Sequence, residues 1–266
     1  MQPSDAIVAL SGIRGAASVE RIKHGLTNES WLVSSASERR VVRISNSEED
    51  SLQIDRASEA SILAAVSYAG IGPDVIVCDP SRRLLVTRYM GDTWSDADTH
   101  RAHNTGRVAA LLHKLHSLAA PPGVRRVDLL SVIERYLKTL DDHAIICEMT
   151  TDTFRTRARD MAISLYQDST GCLCHNDVHA LNIVEGDHGA LRLIDWEYAG
   201  VGEPLFDLAS ISIYQRYDQA ERERLLSAYL PRADVADWHR LEQACWLFDY
   251  IRDLWTAVRE MASPAR

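Results

Sequence analysis

Lysine is scarce in this chain: Lys23, Lys114 and Lys138 are three of its 29 basic residues, so any lysine-dependent chemistry has few positions open to it. Positive charge is short overall as well. Thirty-eight acidic residues set against those 29 give a net charge of −9, and no local basic patch stands against that field, which argues against a nucleic-acid or anionic-membrane surface. No stretch approaches the roughly 18 uninterrupted apolar residues of a membrane span. The opening MQPSDAIVALSG lacks a basic start followed by an apolar core, so a cytoplasmic protein without membrane insertion is expected. An even cysteine framework is missing too. The five cysteines, at 78, 147, 172, 174 and 245, are odd in number and scattered, which fits reduced thiols better than the disulfides of a small secreted domain.

What is present is the composition of an ordinary folded protein, 46% hydrophobic and 25% charged. From Ser18 to Ser45 the chain alternates apolar and polar residues with turn chemistry at Gly25, Asn28 and SSASE, and predicts two or three antiparallel strands. A helix follows from Ser51 or Ile54 to Tyr68, with Ile54, Ala57, Ser61, Ile62 and Ala65 on one face and AGIGP as its stop. DVIVCD and RLLVTRYM read as two more strands around the Pro80 to Arg83 turn. The pattern then turns helical over 97–118, 127–147, 153–167 and 204–261, interrupted by the short apolar strands CLCH and LRLIDW, which are expected to pair. The fold class is therefore α+β, with a small β-rich lobe over 1–91 and a larger, mainly α-helical lobe over 92–266.

The most informative stretch is CHNDVHALNIVEGDHGALRLIDWEYAG, residues 174–200. It holds Asp177, then Asn182, then Asp195. Transfer of a phosphoryl group from ATP needs a carboxylate that orients the attacking hydroxyl and accepts its proton, and oxygen ligands for Mg²⁺ on the phosphates. Asp177 suits the first task, Asn182 and Asp195 the second.

This segment resembles the catalytic and metal loops of the protein-kinase-like fold, in the branch of choline, ethanolamine and thiamine kinases and aminoglycoside phosphotransferases. HGLTNESWLV, VVRIS, IDRASE and LIDWEYAGVGEPLFDLAS extend the resemblance over most of the chain. It implies that Asp177 is the catalytic base, that Asn182 and Asp195 bind metal, and that Gly25, Thr27 and Asn28 form the nucleotide loop. Arg43 stands where protein kinases place a lysine, with Glu59 as its expected ion-pair partner. A guanidinium keeps its charge and grips phosphate at two points, so the phosphate clamp survives the replacement. Arg88, Tyr89 and Met90 would offer adenine backbone hydrogen bonds. Asn176 departs from the arginine that commonly precedes the base. Only eleven residues lie between Asp195 and Asp207, too few for a peptide-docking segment, so a small-molecule acceptor is expected.

Other readings stand beside this one. His175 reads as a buried histidine that bonds the loop backbone, and Asp207 as a structural acid beneath the loop. Cys172, Cys174, His175 and His179 suggest zinc, and a metal-dependent hydrolase built on His175, Asp177, His179 and Asp195 is the alternative of a different class. A nucleotide-binding pseudokinase is the non-enzyme alternative.

For the acceptor, residues 171–266 carry 16 acids and 9 bases while 1–170 carry 22 and 20. An acidic C-terminal lobe suits a cationic alcohol such as choline or thiamine. Tyr198 resembles a pocket tyrosine of choline kinases. In the last helix, Trp238, Leu241, Cys245, Phe248, Ile251, Trp255 and Val258 share a stripe read as core. Trp246, Asp249 and Tyr250, on a second face, are acceptor candidates because ring faces and carboxylates attract cations, although the same face reads equally as a helix edge.

Overall fold

The computed structural model describes residues 3–15, 18–22, 28–45, 52, 54–166 and 170–262. Strands β1 (Ser18–Ile22), β2 (Asn28–Ser34), β3 (Arg39–Ser45), β4 (Val75–Asp79) and β5 (Leu84–Arg88) form one antiparallel sheet in the order β1-β2-β3-β5-β4. Alternation along β3 sends Val42 into the core and Arg43 to the opposite face, opposite Ser30 of β2 and Leu85 of β5. Helix α1 (Pro3–Ser11), which the sequence pattern did not foretell, lies on this sheet. Its Ile7, together with Ile13, packs against Val33, Val42, Leu84 and Val86. Full burial of each of these valines contributes about 2 kcal/mol.

Helix α2 (Arg56–Tyr68) starts where Asp55 caps the amides of Ala57 and Ser58, which sets Glu59 in its first turn. It stops at Gly70, whose φ of 67° closes the end while Gly70 and Ile71 donate back to Ser67 O and Val66 O. Ile62, Leu63 and Val66 of α2 belong to the large core of the helical remainder and not to that of the sheet. Hydrogen bonds from Leu193 N to Ile71 O (2.8 Å) and Arg125 N to Ser58 Oγ (3.1 Å) join the two lobes further.

The rest of the chain is mostly helical: α3 (Asp96–Thr99), α4 (Ala102–His116), α5 (Leu129–Asp142), α6 (Asp152–Tyr166), α7 (Pro204–Tyr214), α8 (Gln219–Tyr229) and α9 (Val235–Ala262). The expected single helix over 97–118 is broken at His100 and Arg101. Ser95 caps α3 through Asp98, and the Asn104 amide takes the Asp98 carbonyl for its own turn. A five-stranded antiparallel sheet followed by a helical body makes the class α+β, as expected. Among the described residues no helix is long and apolar enough to cross a membrane, and all five cysteines are free.

The pairing of the short strands differs from expectation. CLC (β6, Cys172–Cys174) does not pair with LRL (β8, Leu191–Leu193). It pairs antiparallel with β9 (Gly200–Gly202), while β8 folds back on β7 (Ile183–Glu185). The turn at 186–190 lets IVE and LRL meet as a hairpin, closed by Gly186 N to Ala190 O at 2.8 Å. The loop after β6 and the loop after β8 consequently open at one place, where Ile194 N donates to Asn182 O at 2.9 Å.

Candidate active site

Both loops line a cleft of about 1340 Å³ between the sheet and the helical body. Asp177, Asn182 and Asp195 share its floor. Asn182 Nδ2 donates to the Asp177 carbonyl (2.8 Å) and to Asp177 Oδ2 (3.1 Å), so the amide is tied to the carboxylate and its oxygen is turned elsewhere. His179 Nε2 lies 3.6 Å from Asp177 Oδ2. Burial works to raise the Asp177 carboxyl, but hydrogen bonding and charge from His179, with His175 and the Tyr214 hydroxyl, outweigh it and hold Asp177 below the usual carboxylate range. The carboxylate is thus kept ionised and oriented. The rings of His179 and Tyr214 sit 4.8 Å apart; the sequence pattern suggests His179 only as a zinc candidate and does not point to Tyr214.

The loop that carries Asp177 is held from below. Asp207 of α7 is fully buried, and its Oδ2 and Oδ1 accept the amides of His175 (2.8 Å) and Asn176 (2.6 Å). His116 Nε2 of α4 meets the same Asp207 Oδ2 at 3.0 Å. His175 is also fully buried; its Nε2 donates to Ile194 O (3.0 Å) while Nδ1 accepts from Asp177 N (3.3 Å). Burial lowers its basicity. With both ring nitrogens taken by backbone, His175 cannot serve the metal-dependent hydrolase reading. The thiols do not complete the zinc set either: among the described residues, Cys172 and Cys174 group with His116 and not with His175 or His179.

Asn176 has φ 65° and Asp195 φ 63°, the left-handed region in which Asn and Asp are the most tolerated side chains. That explains why asparagine suits the position before Asp177. Its Nδ2 also donates to Tyr198 O at 3.0 Å, fastening the two loops together.

Above the floor a chain of charges links sheet, helix and loop. Arg43 Nη2 pairs with Glu59 (2.7 Å) and Nη1 with Asp195 Oδ1 (3.1 Å). Arg56 Nη1 holds the other side of Glu59 at 2.7 Å, and its Nη2 reaches Glu197 Oε2 at 3.2 Å and Asn28 Oδ1 at 3.0 Å. Asn28 Nδ2 donates to Glu197 Oε2 at 2.7 Å. Burial works against the charge on Glu59, but Arg43 and Arg56 outweigh it and keep its carboxyl low. Asp195 goes the other way. Burial first and Glu197 second push it up to about 7, with Arg43 opposing. Hard oxygen donors crowded with like charge are what a divalent cation such as Mg²⁺ neutralises, so Asn182 and Asp195 fit that group. Gly25 and Thr27 lie outside the described residues; Asn28 is placed as a brace of Glu197.

At the interlobe connector the amides of Arg88 and Tyr89 are spent on Asp74 O (2.9 Å) and Arg39 O (3.0 Å). The Tyr89 ring lies under Arg39, 4.0 Å from its guanidinium, and its hydroxyl bonds Asp92. Arg88 and Tyr89 therefore have no amide to give to a base, whereas Met90, which also lines the cleft, is the remaining candidate donor.

The last helix is turned differently from the expected arrangement. Phe248, Ile251, Arg252, Trp255, Thr256 and Arg259 line the cleft, whereas Trp246, Asp249 and Tyr250 do not. Trp246 and Tyr250 stack on each other (5.3 Å, 12°) and on Phe154 of α6, Arg157 covers Trp246, and the Tyr250 hydroxyl donates to Met149 O at 2.8 Å. Asp249 pairs with Arg252 at 2.5 Å. Because α9 packs against α5, α6 and α7, more than one of its faces is apolar, and the stripe read as core is in part the cleft wall. Tyr198 does line the cleft, and its hydroxyl accepts from Trp255 Nε1 at 3.0 Å.

Comparison with known proteins places these loops in context. The family model described as choline/ethanolamine kinase matches residues 19–223. Protein LicA of Haemophilus influenzae is 26% identical over 222 residues, 82% of this chain and 64% of that protein. Thiamine kinase of Shigella boydii serotype 4 (strain Sb227) is 32% identical over 133 residues, 50% of this chain and 44% of the relative. The chain thus spans less than two thirds of the length of either relative. The crystal structure of choline kinase LicA from Streptococcus pneumoniae superposes with a TM-score of 0.81 at 22% identity, covering 99% of this chain and 91% of that one.

Proposed function

Since the chain belongs to the choline/ethanolamine kinase family, we propose that it transfers the γ-phosphoryl group of ATP, with Mg²⁺, to the hydroxyl of a small alcohol bearing a cationic nitrogen, as choline and thiamine do. The observation that carries this reading is the meeting of Asp177, Asn182 and Asp195 on one cleft floor beneath the Arg43–Glu59 pair.

In this reading Asp177, kept ionised by His179 and Tyr214, orients the acceptor hydroxyl and receives its proton as the oxygen attacks phosphorus. Arg43, buttressed by Glu59, holds the α and β phosphates through two guanidinium nitrogens. Asn182 and Asp195 would hold Mg²⁺, which supplies neutralising charge on the phosphates. Met90 offers adenine its amide. Tyr198 and Trp255, joined by their hydrogen bond, offer the acceptor aromatic faces. Phosphoryl transfer is chiefly a matter of positioning and charge, so a rigidly fastened pair of loops is the principal requirement. An aminoglycoside-type acceptor is the second reading, which the carboxylates of Asp55, Asp92, Asp96 and Glu197 on the cleft lining keep open.

The test is ADP formation with choline, ethanolamine, thiamine and an aminoglycoside as acceptors. Asp195→Ala is expected to lower kcat by about a hundredfold or more and to raise the Mg²⁺ concentration needed. Unchanged Mg²⁺ dependence would remove Asp195 from the metal site, and acceptor-independent rates would remove the kinase reading.

Arg43 and Glu59 are expected to behave as one unit. In a cycle of Arg43→Lys, Glu59→Gln and the double variant, the loss in kcat/KM for ATP should fall short of the sum of the single losses by about 1 kcal/mol or more. Additive losses would show that the pair seen at 2.7 Å has no part in ATP handling.

A further inference from the structure

We infer that the acceptor carries an anionic group, a carboxylate or a phosphate, received by the wall of the cleft that the segment 125–136 and α9 build together. The inference rests on the kinase reading and narrows its acceptor.

The wall is rich in arginine. Arg125, Arg126, Arg135, Arg252 and Arg259 line the cleft from these two elements, and Asp128 is the acid they contribute to its lining. Asp128 is engaged in capping α5, accepting from Leu130 N at 3.2 Å and Ser131 Oγ at 2.5 Å. Two of the arginines are held: Arg252 by Asp249 (2.5 Å) and Asp253 (3.4 Å), and Arg125 by the carbonyls of Ala199 (3.0 Å) and Glu197 (3.4 Å). For Arg126, Arg135 and Arg259 no described carboxylate lies within ion-pair distance. The net negative charge of residues 171–266 is thus not mirrored on this wall.

Arg259 matters most for the acceptor, because its guanidinium lies 5.1 Å from the centre of the Trp255 ring. Trp255 is half of the aromatic pair with Tyr198. The ring that would attract a quaternary ammonium already has a cation upon it, and a second cation there would be repelled by the first. A guanidinium that has no carboxylate of its own is instead suited to an incoming carboxylate or phosphate, which it can bind at two points. With Asp177 on the floor of the cleft and Arg135 and Arg259 on this wall, the acceptor is an alcohol that also carries an acid group. A cationic nitrogen between the two is compatible with the Tyr198 side of the aromatic pair.

The experiment is calorimetric titration of L-homoserine (a carboxylate), glycerol 3-phosphate (a phosphate) and choline into protein saturated with ADP and Mg²⁺. It is repeated on Arg135→Gln/Arg259→Gln, which alters no residue of the catalytic loops. At least one anionic alcohol is expected to bind more tightly than choline and to lose about tenfold in affinity in the double variant, while choline binding does not weaken. Which of the two anions responds identifies carboxylate or phosphate as the group recognised. Tighter binding of choline than of both anions, no binding of either anion, or anion affinity unchanged in the variant overturns the inference. Acceptor-stimulated ADP formation with any of the three compounds sustains the kinase reading in each of those cases. Anion binding that responds to the variant without any such stimulation counts against the kinase reading alone.

Discussion

Asp177→Asn is expected to lower kcat by about a thousandfold while leaving nucleotide affinity largely unchanged. The amide keeps the size of the carboxylate and can still accept from Asn182, whose bonds to Asp177 Oδ2 and O measure 3.1 and 2.8 Å. It cannot take a proton from the acceptor. His179, 3.6 Å away, is an imidazole that could take its place, so Asp177→Asn/His179→Ala should abolish any remaining rate. Single-turnover kinetics and nucleotide titration of the variants measure the two effects separately. A variant that turns over at the native rate would show that the proton leaves by another route, and one that also loses nucleotide would show that Asp177 helps to hold the phosphates.

Asp207→Ala should have the second large effect, on stability as well as on rate. The carboxylate is fully buried and accepts two backbone amides besides meeting His116. Its removal leaves those groups without an acceptor in a place that water does not reach. Breaking one such buried cluster costs about 3–5 kcal/mol, which for a chain of this size lowers the melting temperature by roughly 10 °C. Because the freed amides are those of His175 and Asn176, the position of Asp177 is expected to relax as well. Asp207→Asn, which keeps one acceptor oxygen, should fall between the two. Thermal unfolding and kcat measured on the same samples check this; a melting temperature within about 2 °C of the native one would mean that the loop has other support.

The parts of this site that were legible in the sequence are those whose geometry is local. Asp177, Asn182 and Asp195 lie on two loops joined by one short hairpin, so their separation along the chain nearly determines their separation in space. Glu59 could be matched to Arg43 because it falls in the first turn of the helix after β3. Arg56 and Glu197 were harder to join, since 140 residues lie between them and nothing in either local pattern refers to the other. The partners of β6 and β8 were misassigned for a related reason: three-residue apolar strands have no alternation long enough to choose a neighbour.

Helix α9 shows a different limit. With four helices, α5 to α8, packed around it, the spacing Trp246, Asp249, Tyr250 fits a pocket face as well as the spacing Phe248, Ile251, Arg252, Trp255 does. Only the contact with Phe154 and Arg157 of α6 tells them apart. Length gave no help either, because a helix of 28 residues presents every face several times over.

Arginine at position 43 also bears on how the protein should respond to alkali. Burial works against the charge of Arg43, but Glu59, Asp195 and Glu197 more than compensate and hold its proton more firmly than usual. A lysine in the same place would begin to discharge near the top of the range in which proteins are assayed, releasing its hold on anions as it did so. The guanidinium does not. Any falling alkaline limb in a rate profile must therefore originate away from this arm of the cleft, and amine-directed reagents cannot label it. The described lysines give such reagents Lys114 and Lys138 instead, bonded to Ala69 O and Asp142 outside the cleft.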